Sequence, residues 1–243
     1  MIINKQNISE FDPVEGAVLL IDKPLGKTSF DVVAIIRRVV SKAIGSKLKV
    51  GHAGTLDPLA TGLLILCTGK MTKQIDQYQA QKKTYTGSFF LGATRPSYDC
   101  ETEIDAHYAI DHIGEKELEQ TRQNFLGEIY IPPPAHSAVK INGKPAYKMA
   151  RKGQELELKP RQMIIEEFEL YTKNKPVLEF KIVCSKGTYI RSIAHEYGKK
   201  LNNGAYLNSL CRTQIGEFSL ADAWNLDEFV DLFQKLPSNP LHQ

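Results

Sequence analysis

Thr28 stands three residues ahead of Asp31 and heads an apolar row, Val32, Ile36, Val39 and Ala43, that repeats at helical spacing and stops at Gly45. A hydroxyl and a carboxylate at that separation form a capping box, and the glycine supplies a left-handed turn at the other end. The segment is therefore committed to one amphipathic helix with a face to bury. Val18 to Ile21 reads as a short buried strand ahead of it, joined by the loop Asp22-Lys23-Pro24-Leu25-Gly26. The rest of the chain supplies partners. Leu63 to Cys67 is core, as a helix end or a strand, and Thr84–Leu91, Arg161–Tyr171, Val177–Cys184 and Tyr206–Phe218 read as strands. Leu118, Thr121 and Phe125 mark a second amphipathic helix. Thr188 can cap a third with the face Ile190, Ile193, Ala194, Tyr197 and Leu201, and Asn225 or Asp227 opens a last one carrying Phe229, Leu232 and Phe233. Strands and helices mix without strict alternation, which places the chain in the α+β class with a mixed, largely antiparallel sheet flanked by helices.

With 42% hydrophobic and 24% charged residues, 243 residues suffice for a substantial core, and no linker divides them, so a single domain over 1–243 is expected. No apolar run is long enough to cross a bilayer and the N-terminus has no leader pattern, so the expected location is cytoplasmic. Cys67, Cys100, Cys184 and Cys211 lie far apart and are expected as four buried free thiols. His195-Glu196 is followed by Lys199 where a zinc-protease helix needs its second histidine, and no metal is expected.

The net charge of +3 says little, but its distribution does. Acids gather between Asp99 and Glu119, and bases at Lys140, Lys144, Lys148, Arg151 and Lys152. Pro132-Pro133-Pro134 excludes a central strand and Asn142-Gly143 suits a hairpin tip, which together suggest an exposed insertion over about 127–153. Lys144, Lys148, Arg151 and Lys152 then fall on one face of a short helix, where a phosphate backbone could track them; a solvated helix face has the same spacing.

Two motifs bear on chemistry. Gly26-Lys27-Thr28 ends like a phosphate-binding P-loop, but Ile21 occupies the place of its first glycine, which argues against nucleotide hydrolysis. Asp57-Pro58 taken alone reads as a helix start, an N-cap followed by proline, although the flanking glycines would let a base approach closely.

The longer context separates these readings. Gly51-His52-Ala53-Gly54-Thr55-Leu56-Asp57-Pro58-Leu59-Ala60-Thr61-Gly62-Leu63-Leu64 closely resembles the active-site loop of the bacterial tRNA pseudouridine-55 synthases, the TruB family. Asp22 to Ser29, Lys83-Thr84-Tyr85, Ser137 to Lys140, Ala150 to Gly153 and Gly187 to Arg191 continue the resemblance in chain order. It implies a pseudouridine synthase fold with a central cleft, and an enzyme that isomerises a uridine in the tRNA T-loop without cofactor, metal or obligatory protein partner, as a monomer. It further implies that Asp57 is the nucleophile, that Tyr85 and Tyr189 contact the base, that Arg191 pairs with the aspartate, that Leu210 packs under the base, and that His52 helps receive the reshaped RNA loop. Lys23, Lys144, Lys148 and Arg151 are the expected contacts to the RNA backbone. The chain departs from the family at Cys211, where many relatives have arginine, and at Tyr206, where histidine is common. It ends without room for the C-terminal PUA domain of many relatives, so the RNA affinity is expected to rest on the catalytic unit and the insertion.

Overall fold

The computed structural model describes residues 2–3, 7–12, 15–141, 143–154 and 156–235. The chain forms two compact units, Met1–Thr84 with Cys211–Gln243, and Tyr85–Leu210. The first opens with β1 (Ile2–Ile3), β2 (Val18–Lys23), α1 (Ser29–Ile44), β3 (Val50–His52), β4 (Ala60–Thr68) and α2 (Ile75–Ala80). The chain passes into the second unit along β5 (Lys83–Leu91) and continues through β6 (Ala93–Thr94), β7 (Ala106–His107), α3 (Glu115–Gln123), β8 (Gly127–Ile131), β9 (Lys140–Ile141), β10 (Lys144–Pro145), α4 (Ala146–Ala150), β11 (Arg161–Asn174), β12 (Val177–Cys184) and α5 (Ile190–Lys200). It returns along β13 (Ala205–Ile215) to β14 (Phe218–Ser219), β15 (Trp224–Asn225) and α6 (Leu226–Lys235).

In the first unit β2 pairs antiparallel with β4, setting Ile21 opposite Leu64 and Leu19 opposite Leu66. Both β1 and β15 run parallel to β2, so the sheet is mixed, as its class requires. Leu19, Ile21, Leu64 and Leu66 face α1 and α6, whereas Val18, Leu20, Leu63 and Ile65 face the opposite layer with Phe218 and the side chains of Met71 and Ile75. Burial on both faces explains why these strands read as unbroken apolar runs, and it settles Leu63–Cys67 as strand. The helix α1 has the expected boundaries: the Thr28 hydroxyl accepts from Asp31 N at 3.0 Å, Asp31 accepts from Thr28 N at 2.8 Å, and Gly45 is left-handed at φ +67. Asn225 caps α6 by accepting from Asp227 N at 2.9 Å. Residues 236–243, the expected tail, lie outside the described residues.

In the second unit the strand order is β5-β12-β11-β8, with β11 antiparallel to both neighbours. Its core is aromatic. Phe89, Phe125 and Phe168 surround Tyr197 at centroid distances of 6.0, 5.8 and 6.1 Å, and the buried Tyr197 hydroxyl donates to Leu118 O at 2.7 Å. Leu118 and Thr121 are buried on α3, and Ile190, Ile193, Ala194, Tyr197 and Leu201 are buried along and just after α5, as their spacing predicts. Thr188 does not cap that helix: Tyr189 holds the N-cap position, and the Thr188 hydroxyl donates to Ser185 O at 2.9 Å. The thiols also differ from expectation, since Cys67 and Cys184 are buried but Cys100 is exposed and Cys211 half-buried.

The capping box of α1 adjoins Ser29, whose hydroxyl holds Leu56 of the Asp57 loop. Thr28→Ala should lower unfolding free energy by about 1 kcal/mol, as losing an N-cap hydroxyl does elsewhere. A denaturant titration checks this through a reduced midpoint at unchanged slope.

Candidate active site

No helix follows Asp57-Pro58. Ala60 N donates to Asp57 O at 3.1 Å, closing one turn, and the chain then enters β4. The local helix-start signal is overruled because the residues that would continue the helix, Ala60–Thr68, pair as β4 with β2, while the loop before them is held by groups distant in sequence. Arg212, 1% exposed on β13, donates to Gly54 O at 3.1 Å, Thr55 O at 3.5 Å and Leu63 O at 2.8 Å. The Ser29 hydroxyl, in the first turn of α1, accepts from Leu56 N at 2.8 Å and donates to Leu56 O at 3.1 Å. Pro58 O accepts from Gly26 N at 2.8 Å. Every carbonyl from Gly54 to Pro58 thus has a donor, while buried Leu56 and Ala60 anchor the two ends of the turn and Asp57 is left half-buried between them. Two glycines are obligatory here. Gly54 has φ +106, and a Cβ on Gly62 would stand 2.4 Å from Arg212 O.

Lys23 is not on the surface. It is fully buried, and its ammonium donates to Lys27 O at 2.6 Å, Pro24 O at 3.0 Å and Pro58 O at 3.5 Å. Burial pushes its pKa down to about 8, against the pull of the Asp57 carboxylate toward keeping the proton. Its expected contact with RNA phosphate is therefore replaced by a structural part, holding the Pro24–Lys27 turn against the Asp57 loop. His52 ends β3, half-buried. Burial first, and the Arg212 charge second, lower its pKa, so its ring is neutral at neutral pH and suits a base better than a phosphate.

The remaining expected residues lie in the second unit. Tyr85 is buried on β5, Tyr189 is half-buried at the start of α5, and Leu210 is half-buried on β13. Arg191 is 4% exposed, with Nε 3.5 Å from the Asp99 carboxylate and Nη1 donating to His136 O at 3.0 Å and Ser97 O at 3.4 Å. Asp99 in turn accepts from Glu101 N at 2.9 Å. The segment between β6 and β7 is thus partly interior, with Ser97 and Asp99 both buried. Of the basic residues, Lys144 lies on β10, opposite Ile141 in a hairpin whose Asn142 is outside the described residues. Lys148 lies on α4, and Arg151 follows it, bonded to Glu101 at 2.6 Å. They share no single helix face, because α4 has only five residues. Among the described residues no three His, Cys, Asp or Glu side chains gather in a way that could hold a metal, and no helix is long and apolar enough to cross a membrane.

Sequence reasoning missed Arg212, Ser29 and Asp99 as site residues.

The profile of the family described as TruB family pseudouridylate synthase (N terminal domain) matches residues 40–190. This chain belongs to that family. A relative from Flavobacterium johnsoniae, named tRNA pseudouridine synthase B, is 48% identical over 223 residues, covering 91% of this chain and 97% of the relative. Among solved structures, a chain in the crystal structure of a Cbf5-Nop10-Gar1 complex superposes with a TM-score of 0.66 at 27% identity, over 88% of this chain and 53% of that one. A chain in the structure of an H/ACA RNP bound to a substrate RNA containing 2'-deoxyuridine gives 0.64 at 26%, over 88% and 52%. The present chain spans about half the length of those solved chains. As a TruB-family member the protein is a pseudouridine synthase, an isomerase, and it has the pseudouridine synthase fold.

If the Arg212 guanidinium holds the loop, Arg212→Met, which keeps much of the stem and removes every donor, should cost about 2–4 kcal/mol by stranding buried carbonyls. Thermal unfolding should show the loss, and pseudouridine synthase activity should fall even at temperatures where the variant is fully folded.

Proposed function

We propose that this chain converts a uridine of tRNA, the T-loop uridine at position 55, to pseudouridine, with Asp57 as nucleophile. It does so in the cytoplasm as a monomer, without guide RNA, obligatory protein partner or cofactor. The observation that carries the reading is the Asp57 loop: a half-buried carboxylate on a backbone whose carbonyls from Gly54 to Pro58 are all engaged. A loop fixed in this way presents its side chain without reorganising during reaction. The name of the Flavobacterium johnsoniae relative supports tRNA as the substrate.

The net change moves the ribose C1′ bond from N1 to C5 of uracil; a proton leaves C5 and one is gained at N1. No electrons are exchanged, so the chemistry needs a nucleophile and a means of holding the detached base, and no redox group. A uridine inside folded RNA must first be flipped out, at a cost of a few kcal/mol, which stacking on aromatic side chains offsets. Tyr85 and Tyr189 take that part, Leu210 packs under the ring, Arg191 serves the charged chemistry of the site, and neutral His52 meets the reshaped RNA loop. Lys144, Lys148 and Arg151 contact the phosphate backbone.

Asp57→Asn should leave folding and tRNA affinity largely intact, since Asp57 caps no helix, and lower pseudouridine formation by roughly 10³-fold or more. Mass-spectrometric mapping of tRNA incubated with the purified protein alone reads both the activity and its position. Wild-type turnover by the variant, or modification only after a guide RNA is added, would overturn the reading. A second expectation concerns Arg151, which must leave Glu101 to meet a phosphate. Glu101→Gln should tighten tRNA binding at low salt and steepen the plot of log affinity against log salt by about 0.7–0.9, one further phosphate contact.

A further inference from the structure

Between Asp31 and Asp57 the chain has 25 residues with no Asp or Glu, although 28 acids among 243 residues would give such a stretch about three. The same stretch holds Arg37, Arg38, Lys42, Lys47 and Lys49. These residues belong to α1 and to the turn after it. The helix buries Val32, Val33, Ile36, Val39, Val40, Ala43 and Ile44 and leaves Phe30, Ala34, Arg38 and Lys42 exposed in one i, i+4 row. Lys47 and Lys49 continue the exposed charge past Gly45. An ordinary solvated helix face intersperses both signs and gains from Glu–Lys pairs at this spacing; here no ion pair among the described residues claims any of the five cations.

The row also has a direction. At one end Phe30, 65% exposed, is next to Ser29, whose hydroxyl holds Leu56 of the Asp57 loop. Leu25, 65% exposed, and Leu59, 38% exposed, flank the same turn, tied together through the bond from Gly26 N to Pro58 O. An exposed apolar cluster bordering a catalytic loop and opening onto an acid-free row of cations matches the two surfaces of a folded RNA strand, a base or ribose face followed by successive phosphates.

We propose that the exposed face of α1, from Phe30 through Arg38 and Lys42 to Lys47, is a second RNA-docking surface, seating the phosphate backbone of the substrate while Phe30 packs on a base or ribose beside the Asp57 loop. It rests on the reading of the substrate as tRNA and is separate from the basic segment around Lys144. An anionic membrane fits the face less well, because the apolar side of α1 is spent in the core and cannot insert.

The test is equilibrium binding of an unmodified tRNA transcript to the full chain across a salt series, alongside thermal melting. The triple variant Arg38→Gln, Lys42→Gln, Lys47→Gln should melt like the wild type and flatten the plot of log affinity against log salt by roughly 2. Phe30→Ala should weaken binding about tenfold with the slope unchanged, as loss of one stacking contact does. An unchanged slope in a folded triple variant overturns the proposal, as does a loss of binding to anionic phospholipid vesicles with tRNA affinity unaltered. Wild-type protein that binds tRNA with this slope but forms no pseudouridine would sink the assigned reaction and leave the docking surface standing, so the two failures are distinguishable.

Discussion

The structure of the first unit turns on a buried guanidinium. Arg212 donates to three carbonyls of the segment leading into and out of Asp57 and is almost wholly removed from water. A buried charge is costly unless its donors are satisfied, and peptide carbonyls buried without donors are costly as well. Each meets the need of the other. Loop and strand are thus bound to one geometry, and Gly62 is glycine because that geometry brings the backbone of Arg212 within 2.4 Å of where a Cβ would stand.

Lys23 repeats the device on the other side of the loop, with its ammonium among the carbonyls of Pro24, Lys27 and Pro58. Ser29 completes it from the first turn of α1, which ties the Asp57 loop to the capping of a core helix. Disturbing the helix start therefore disturbs the loop, a coupling that follows from hydrogen bonds rather than from proximity along the chain.

The second unit handles its buried charge differently. Arg191 is held by the carboxylate of Asp99 and by the carbonyls of Ser97 and His136. Its supporting core is aromatic where that of the first unit is mainly aliphatic, with Phe89, Phe125 and Phe168 around a tyrosine whose hydroxyl is satisfied, and Phe180 packed on Phe89. Large flat side chains each bury much apolar area, and they pack around Tyr197 of α5, the helix that begins with Tyr189 as its N-cap and carries Arg191 in its first turn.

What the sequence by itself determined is whatever local chemistry controls. The boundaries of α1 follow from a capping box and a left-handed glycine, the buried faces of α1, α3 and α5 follow from helical spacing, and the family follows from one long motif around Asp57. Tertiary structure decided what depends on partners distant in the chain. Asp57-Pro58 has the local signature of a helix start, yet forms a turn because the residues that would continue the helix, Ala60–Thr68, are drawn into β4 against β2, and Pro58 O is taken by Gly26 N. Leu63–Cys67 is ambiguous as a string because a strand buried on both faces loses its alternation. Lys23 reads as a surface cation and is interior, since only the folded backbone gathers three carbonyls around one ammonium.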